Sequence, residues 1–412
     1  MTRILHTADI HLDSPLRSLA MRDEGLREVV RTATRTAFTR IVDAALSHEV
    51  AALLISGDLF DGAERSAKTG AFLTGQLDRL REAGIAVFYI KGNHDAENPI
   101  TGEVKLPENV HVFDGRGGKK RLGDRDIWIH GVSFSGRHAP DSLLPKFHAP
   151  EPDAINIAML HTSLAGAEGH DTYAPCALAD LTAAGFDYWA LGHVHKRQIH
   201  SSAPWVVMPG IPQGRDIGEA GPKSATLLHL SDDGITIEEI PTSAAEFMEH
   251  RLDVSPCSGD DELRSHLRAT MQDIAGRLNS DAGLLRLRFT GRSERRWQIL
   301  RDADQWAETA RDMAAETGAI WLDKISFDLD TTEEGTDTAS AVSELAALMD
   351  DIRSEPGFAA EITATLSAML SELPAHRRAH VAADEATAER LGQELAGDGA
   401  LHVIAAMRGA SE

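Results

Sequence analysis

Five short apolar runs punctuate the first half of the chain, and each is broken off by residues of metal-binding type. Residues 3–6 lead into Asp9-Ile10-His11, and residues 50–55 into Gly57-Asp58-Leu59-Phe60-Asp61. Residues 85–90 lead into Gly92-Asn93-His94-Asp95, residues 155–160 into His161, and residues 188–191 into Gly192-His193-Val194-His195. Short apolar runs bounded by polar turns read as strands of a sheet covered on both faces. Ligands of open α/β sheets collect beyond the carboxyl ends of such strands. Five separated pieces of chain are therefore expected to deliver carboxylate, imidazole and amide groups to one crevice, where they form a site for two metal ions.

The segments between the runs read as helices that cover the sheet. Residues 26–46 place Val29, Val30, Ala33, Ala37, Phe38, Ile41, Val42 and Ala45 at helical spacing. Residues 69–83 repeat the pattern before Gly84, and a short helix over 177–184 stops at Gly185. Residues 124–132 and 205–208 read as further strands, and 225–230 with 235–240 as a hairpin around Asp232-Asp233-Gly234. Residues 133–152 form a loop that either frames the substrate or is a plain surface excursion.

The donor set is oxygen and imidazole without thiolate, which suits hard divalent cations such as Mn²⁺. Two such ions about 3.5–4 Å apart clamp a phosphate, acidify a shared water and stabilise the attacking and leaving oxygens. A carboxylate suits the bridging position, which falls to Asp58. Asp9, His11 and His195 complete one shell, and Asn93, His161 and His193 the other. Taken singly, His161 reads as a structural histidine and the Gly192–His195 stretch as an exposed turn. The fixed order, each cluster after a strand, carries the metal reading. His48, His130, His138, His148, His170 and His200 read as solvated or packed side chains.

The ordered clusters resemble the calcineurin-like metallophosphoesterase superfamily. Within it, Thr7-Ala8-Asp9-Ile10-His11-Leu12-Asp13-Ser14-Pro15-Leu16, the Gly57–Asp61 stretch and Pro209-Gly210-Ile211-Pro212-Gln213-Gly214-Arg215 are similar to bacterial SbcD-type DNA repair exonucleases, in the YhaO-like branch. The resemblance implies an α/β fold with a β-sandwich core flanked by helices, a small α+β capping domain and a helical C-terminal region. It implies hydrolysis of phosphodiester bonds in DNA by a two-metal-activated hydroxide. His94, not itself a ligand in the family, assists the leaving group, a task suited to imidazole. Asp61 is the position that the family's phosphatases use to orient that histidine, with Asp95 as the rival. An SbcC-like coiled-coil ATPase is the implied partner, and a homodimer is allowed.

Composition bounds the alternatives. A chain of 412 residues suggests two or three domains. Cys176 and Cys257 stand far apart, which excludes a disulfide framework and a cysteine zinc site. With no apolar signal segment at the amino terminus and no membrane-length apolar run, a cytoplasmic protein is expected. The net charge of −23 runs against DNA binding, which rests on Lys and Arg. Net charge, however, does not fix the local field in a groove, and bound cations invert it.

Three domains are expected: a nuclease domain over 1–242, a capping domain over 243–330, and an acidic linker with a helical partner-binding region over 331–412. The capping domain alternates strand (251–254), helix (262–278), strand (284–290), helix (303–315) and strand (319–329). Its Arg286, Arg288, Arg292, Arg295, Arg296 and Arg301, with Trp297, read equally as a DNA-contacting patch or a solvated face. Helices follow at 339–352, 357–373 and 384–395, with an apolar segment at 401–407. The expected function is a Mn²⁺-dependent DNA exonuclease. Its alternatives are a small-molecule phosphodiesterase or phosphatase on the same core and a catalytically silent scaffold.

Overall fold

The computed structural model describes residues 1–16, 24–61, 66–97, 105–164, 173–330, 341–374 and 384–408, together with 378, 381 and 382. It is a mixed α/β protein with two six-stranded sheets flanked by helices, a three-stranded sheet and C-terminal helices. In chain order the elements begin β1 (Thr2–Thr7), α1 (Glu24–Ser47), β2 (Ala52–Ser56), α2 (Ala67–Glu82), β3 (Ala86–Ile90) and α3 (Asn93–Glu97). They continue with β4 (Val110–Val112), β5 (Gly118–Arg121), β6 (Ile127–Gly131), β7 (Ile155–His161), α4 (Leu178–Ala183) and β8 (Tyr188–Gly192). Next come β9 (Gln198–Ser202), β10 (Trp205–Met208), β11 (Ser224–Ser231), β12 (Gly234–Pro241) and β13 (Ala245–Asp253). The remainder is α5 (Asp260–Arg277), β14 (Ala282–Arg292), α6 (Arg296–Arg301), α7 (Ala303–Glu316), β15 (Ile320–Asp330), α8 (Ala341–Ser354), α9 (Pro356–Ser371) and α10 (Glu385–Arg408).

The first sheet has the order β12-β11-β1-β2-β3-β4, and the second β5-β6-β7-β8-β10-β9. Strands β1, β2 and β3 run parallel, as do β6, β7, β8 and β10, so each sheet gathers several carboxyl ends at one edge. Period-two alternation explains why their sequences are apolar throughout. Ile4, Leu54 and Phe88 face the second sheet, against Ile129, Ile157, Met159 and Tyr188. Their neighbours Leu5, Leu53 and Val87 face Phe38, Ile41 and Val42 of α1 and Leu73, Leu77 and Leu80 of α2. Both faces of the strands are thus buried.

The chain divides into two compact units, the first formed by Met1–Glu249, Ile274–Arg286 and Gly318–Lys324. In this unit Leu26, Val30 and Ala33 of α1 pack with Ala245, Phe247, Ala282 and Leu284. The second unit comprises His250–Asp273, Leu287–Thr317 and Ile325–Glu412. Its core includes Phe289, with ring centroids 6.3 Å from Trp306 and 5.1 Å from Phe327. The guanidinium groups of Arg296 and Arg408 stack over the ring of Trp297 on α6, 4.3 and 4.8 Å from its centre. The Arg408 stacking binds the end of α10 to α6. Among the described residues no helix is long and apolar enough to cross a membrane.

One expectation from the sequence fails here. Residues 384–395 and 401–407 are a single helix, α10, running through Gly392, Gly397 and Gly399. Close packing explains two of these glycines: a Cβ on Gly392 would come within 2.9 Å of Ile362, and one on Gly397 within 3.0 Å of Arg353. The small residues serve approach between helices, not termination. The arginine-rich stretch is largely neutralised, with Arg286 paired to Asp323, Arg295 to Asp260 and Arg301 to Asp302. The acidic linker expected over 330–338 (apart from Asp330), the first two residues of the helix expected over 339–352, and His170 lie outside the described residues.

Candidate metal centre

The site begins in backbone geometry. Asp9, His11 and Asp58 adopt left-handed φ values of 52°, 45° and 50°, and His193 has a φ of 102°. Non-glycine residues seldom sit there; each costs about 1–3 kcal/mol and persists only where its surroundings enforce it. Enforcement is visible in hydrogen bonds from the Asp9, His11 and Leu12 amides to the carbonyls of Gly57, Asp58 and Leu59, all at 3.0 Å. The loops after β1 and β2 therefore stay paired beyond the strands, and their side chains turn into the same crevice.

The glycines that open three of the clusters make room. A Cβ on Gly57 would collide with the His161 ring, one on Gly92 with the Asp58 carboxylate, and one on Gly192 with the Ser56 carbonyl. The recurrent Gly-Asp, Gly-Asn and Gly-His pairs are thus imposed by how closely the strand ends approach.

All seven expected ligands converge. Three sets of donors each lie mutually within 4.8 Å: Asp9, His11 and His195; His11, Asp58 and His94; and Asp58, His161 and His193. Asp58 belongs to two of the sets and is buried, while Asn93 Oδ1 lies 3.1 Å from His161 Nε2. The Asp9 carboxylate accepts the His193 amide at 3.1 and 2.9 Å, and Asp58 Oδ1 accepts the His94 amide at 2.9 Å.

The hydrogen-bond pattern fits bound cations. His161 Nδ1 lies 2.9 Å from the Ser56 carbonyl, which can only accept, so the proton sits on Nδ1. A neutral His161 then turns a bare Nε2 toward Asn93 Oδ1 and toward Asp58 Oδ2, the latter at 3.4 Å. Likewise His195 Nδ1 faces the Glu219 carboxylate at 2.6 Å, and its Nε2 faces His11 Nε2 at 3.2 Å. The His161 lone pair aimed at the Asn93 and Asp58 oxygens requires something positive between them, whereas a neutral His11 can itself donate from Nε2 to His195. Without a metal that role falls to protons. Burial alone would depress the His161 imidazolium, yet Asp58 and Asp9 raise its pKa to about 9. Burial would conversely raise the Asp58 carboxyl, but His161, His11 and His94 hold it well below the ordinary range. Divalent cations would replace those protons with charge that oxygen and imidazole donors bind directly.

Of the two carboxylates considered for orienting His94, Asp61 faces it, with Oδ1 3.5 Å from His94 Nδ1 and also 3.5 Å from His11 Nδ1. Asp95 is fully buried and accepts the amides of Phe60 and Gly92, both at 3.0 Å, so it braces the two loops. His130 is also packed: it is buried, with Nε2 3.0 Å from Asn156 Oδ1 and its ring edge-on to Phe186.

Sequence reasoning missed Glu219 and gave no role to Arg215. Glu219 holds His195, and Arg215 holds Glu219 through its backbone amide at 2.7 Å and Nη2 at 3.2 Å. Burial would raise the Glu219 carboxyl, but His195 and Arg215 bring its pKa down to about 2. The available signal was the i,i+4 spacing of Arg215 and Glu219 directly after the Pro209–Arg215 stretch.

A cavity of about 980 Å³ opens on the centre, lined by Asp58, Asn93, His94, His193, His195 and Glu219 on the metal-binding side. Arg137, Lys196, Arg197 and Lys223 also line it. Arg137 brings the loop after β6 into the wall, which favours its framing role over a plain excursion.

Residues 2–197 match the calcineurin-like phosphoesterase family, and residues 247–330 match the middle domain of the metallophosphoesterase YhaO. An uncharacterised metallophosphoesterase YhaO of Bacillus subtilis is 38% identical over 239 residues, covering 57% of this chain and 59% of that protein. The DNA double-strand break repair protein Mre11 of Sulfurisphaera tokodaii is 28% identical over 252 residues, covering 58% and 62% respectively. Mre11 of Methanopyrus kandleri is 27% identical over 235 residues, covering 51% and 49%. The chain therefore spans about six-tenths of the first two relatives and about half of the third.

Proposed function

The chain belongs to the calcineurin-like metallophosphoesterase family, and on that premise we propose that it is a Mn²⁺-dependent phosphodiesterase that cuts DNA as an exonuclease of DNA repair. The observation that carries the reading is the convergence of Asp9, His11, Asp58, Asn93, His161, His193 and His195 at one end of two sheets. Asp9, His11 and His195 would hold one cation, Asn93, His161 and His193 the other, with Asp58 shared between them. When bound, the pair supplies Lewis acidity and a water acidified toward neutral pH.

The protein's own groups do the rest. His94 is fixed through its amide to Asp58 and lines the cavity with its side chain 35% exposed, so it can reach substrate. With Nδ1 turned to Asp61, His94 Nε2 delivers a proton to the leaving oxygen. Burial lowers the His94 imidazolium, whereas Asp58 and Asp61 support it. Asp61 is thus the positioning residue that faces Nδ1 and, after Asp58, offsets part of that lowering. DNA as substrate draws support from the DNA repair proteins among the relatives and from four cations in the cavity wall of a chain carrying −23 overall. An SbcC-like ATPase partner fits the exposed Leu348, Met369 and Leu395 on α8, α9 and α10. We retain the division into 1–242, 243–330 and 331–412 as the functional one: nuclease, cap and partner-binding region.

End-labelled linear DNA with Mn²⁺ tests the reading, alongside an aryl phosphate ester. Asp58→Asn should abolish turnover and weaken metal binding. His94→Gln should keep metal occupancy and lower the rate by about 10²–10⁴-fold. Full DNA cleavage by both variants would refute the assignment.

A further inference from the structure

We propose that Lys196, Arg197 and Lys223 form a subsite for a second phosphate of the substrate, beside the one held at the metals. The inference rests on the phosphodiesterase reading and deepens it, because a simple phosphomonoester has nothing to place there. All three residues line the same cavity as Asp58, Asn93 and His94. The cavity's acids are already committed: Asp58 to its imidazoles, Glu219 to His195 and Arg215. Lys196 is exposed and has no ion-pair partner among the described residues. Lys223 is half-buried, with Nζ donating to a neutral acceptor, the Ala220 carbonyl, at 2.8 Å. Arg197 directs Nη1 to Thr226 Oγ1 at 2.6 Å and Nε toward Glu239 at 3.2 Å, which leaves the rest of its five-donor fork for a ligand.

The backbone under these cations is anchored. The Ile211 amide bonds the His195 carbonyl at 2.9 Å, and Gly210, at φ 77°, lies so close to His195 and Arg197 that a Cβ there would collide with both. The Lys223 carbonyl accepts the Thr242 amide at 2.9 Å, and its amide donates to Ser243 Oγ at 3.2 Å. Cations on a fixed frame, two of them partly withdrawn from water and neither lysine with a carboxylate in hydrogen-bond range, are prepared for an anion that arrives with the substrate. A polynucleotide chain supplies one at regular spacing from the scissile bond.

The test compares two substrates on the Mn²⁺-loaded full chain: bis(p-nitrophenyl) phosphate, with one phosphate, and a single-stranded oligonucleotide. The double variant Lys196→Gln/Lys223→Gln should lower the ratio of oligonucleotide to aryl ester kcat/KM. Its log kcat/KM for the oligonucleotide should also depend less on log salt, by about 0.7 for the one lost phosphate contact. An unchanged ratio with an unchanged salt slope overturns the subsite. Equal losses on both substrates overturn it too, since the lysines would then serve the scissile phosphate or the fold. Absence of wild-type hydrolysis of either substrate would instead sink the phosphodiesterase reading, and the subsite with it.

Discussion

Replacing Glu219 by glutamine should weaken one metal position and spare the other. Glu219 Oε1 lies 2.6 Å from His195 Nδ1, a short charge-assisted contact that fixes both the ring angle and the tautomer. A hydrogen bond to a charged group contributes about 1.5–3 kcal/mol, and each 1.4 kcal/mol is tenfold in affinity. The amide keeps the shape and loses the charge, so the ion held by Asp9, His11 and His195 should bind about 10–100-fold more weakly, the range found for supports of metal-bound histidines. The Glu219 side chain bonds His195 and Arg215, on the side of the first ion, so the position of Asn93, His161 and His193 should keep its affinity. Mn²⁺ titration followed by calorimetry, with paramagnetic resonance counting free ion, separates the two steps. Equal weakening of both positions, or no change in either, would refute the reasoning. Arg215→Ala should give a smaller version of the same split.

Other outcomes follow from the same geometry. Gly92→Ala places a methyl group against Asp58 and His161, so the folded variant should bind less than about one Mn²⁺ per chain by elemental analysis. Mn²⁺ at about 100 times its dissociation constant should add about 2.7 kcal/mol to stability, read as a rise in Tm that EDTA reverses and Asp58→Asn abolishes. His6 is fully buried between the Tyr188 hydroxyl at 2.9 Å and the Leu191 carbonyl at 3.0 Å, and burial lowers its pKa to about 3. The unfolded chain takes up this proton near pH 6.5 and the folded chain only near pH 3. Stability should therefore fall as pH drops through that window, by up to about 1.4 kcal/mol per unit from this residue. Urea melts of wild type and His6→Asn at pH 7 and 5 measure the difference. Equal slopes would contradict it.

Much of the first unit was legible because its strands are buried on both faces. Runs such as 155–160 and 205–208 had no competing periodicity, and the structure places strands at Ile155–His161 and Trp205–Met208. The helix expected over 26–46 is Glu24–Ser47, since its apolar stripe spans six turns without a break. Short edge strands escaped notice. Gly118–Arg121 reads Gly-Lys-Lys-Arg and Gln198–Ser202 is mostly polar, so pairing with a neighbour, not composition, makes them strands. The residues expected as ligands lie together because each follows a strand end. Glu219 was not legible, because it sits on a one-turn 3-10 helix and reaches His195 across 24 residues. The choice between Asp61 and Asp95 likewise needed coordinates: both lie in metal-type clusters, and only their orientation separates a residue at the ring from one that braces loops.

The donors do not come from one layer. Asp9, Asp58 and Asn93 follow β1, β2 and β3 of the first sheet, whereas His161, His193 and His195 belong to the ends of β7 and β8 in the second. A pair of cations seated among them would act as a clasp across the open margin of the sandwich, resisting any parting of its layers. Amides near the ends of β2 and β7 should then exchange with deuterium more slowly once the clasp is closed, while those at the far margin keep their rates.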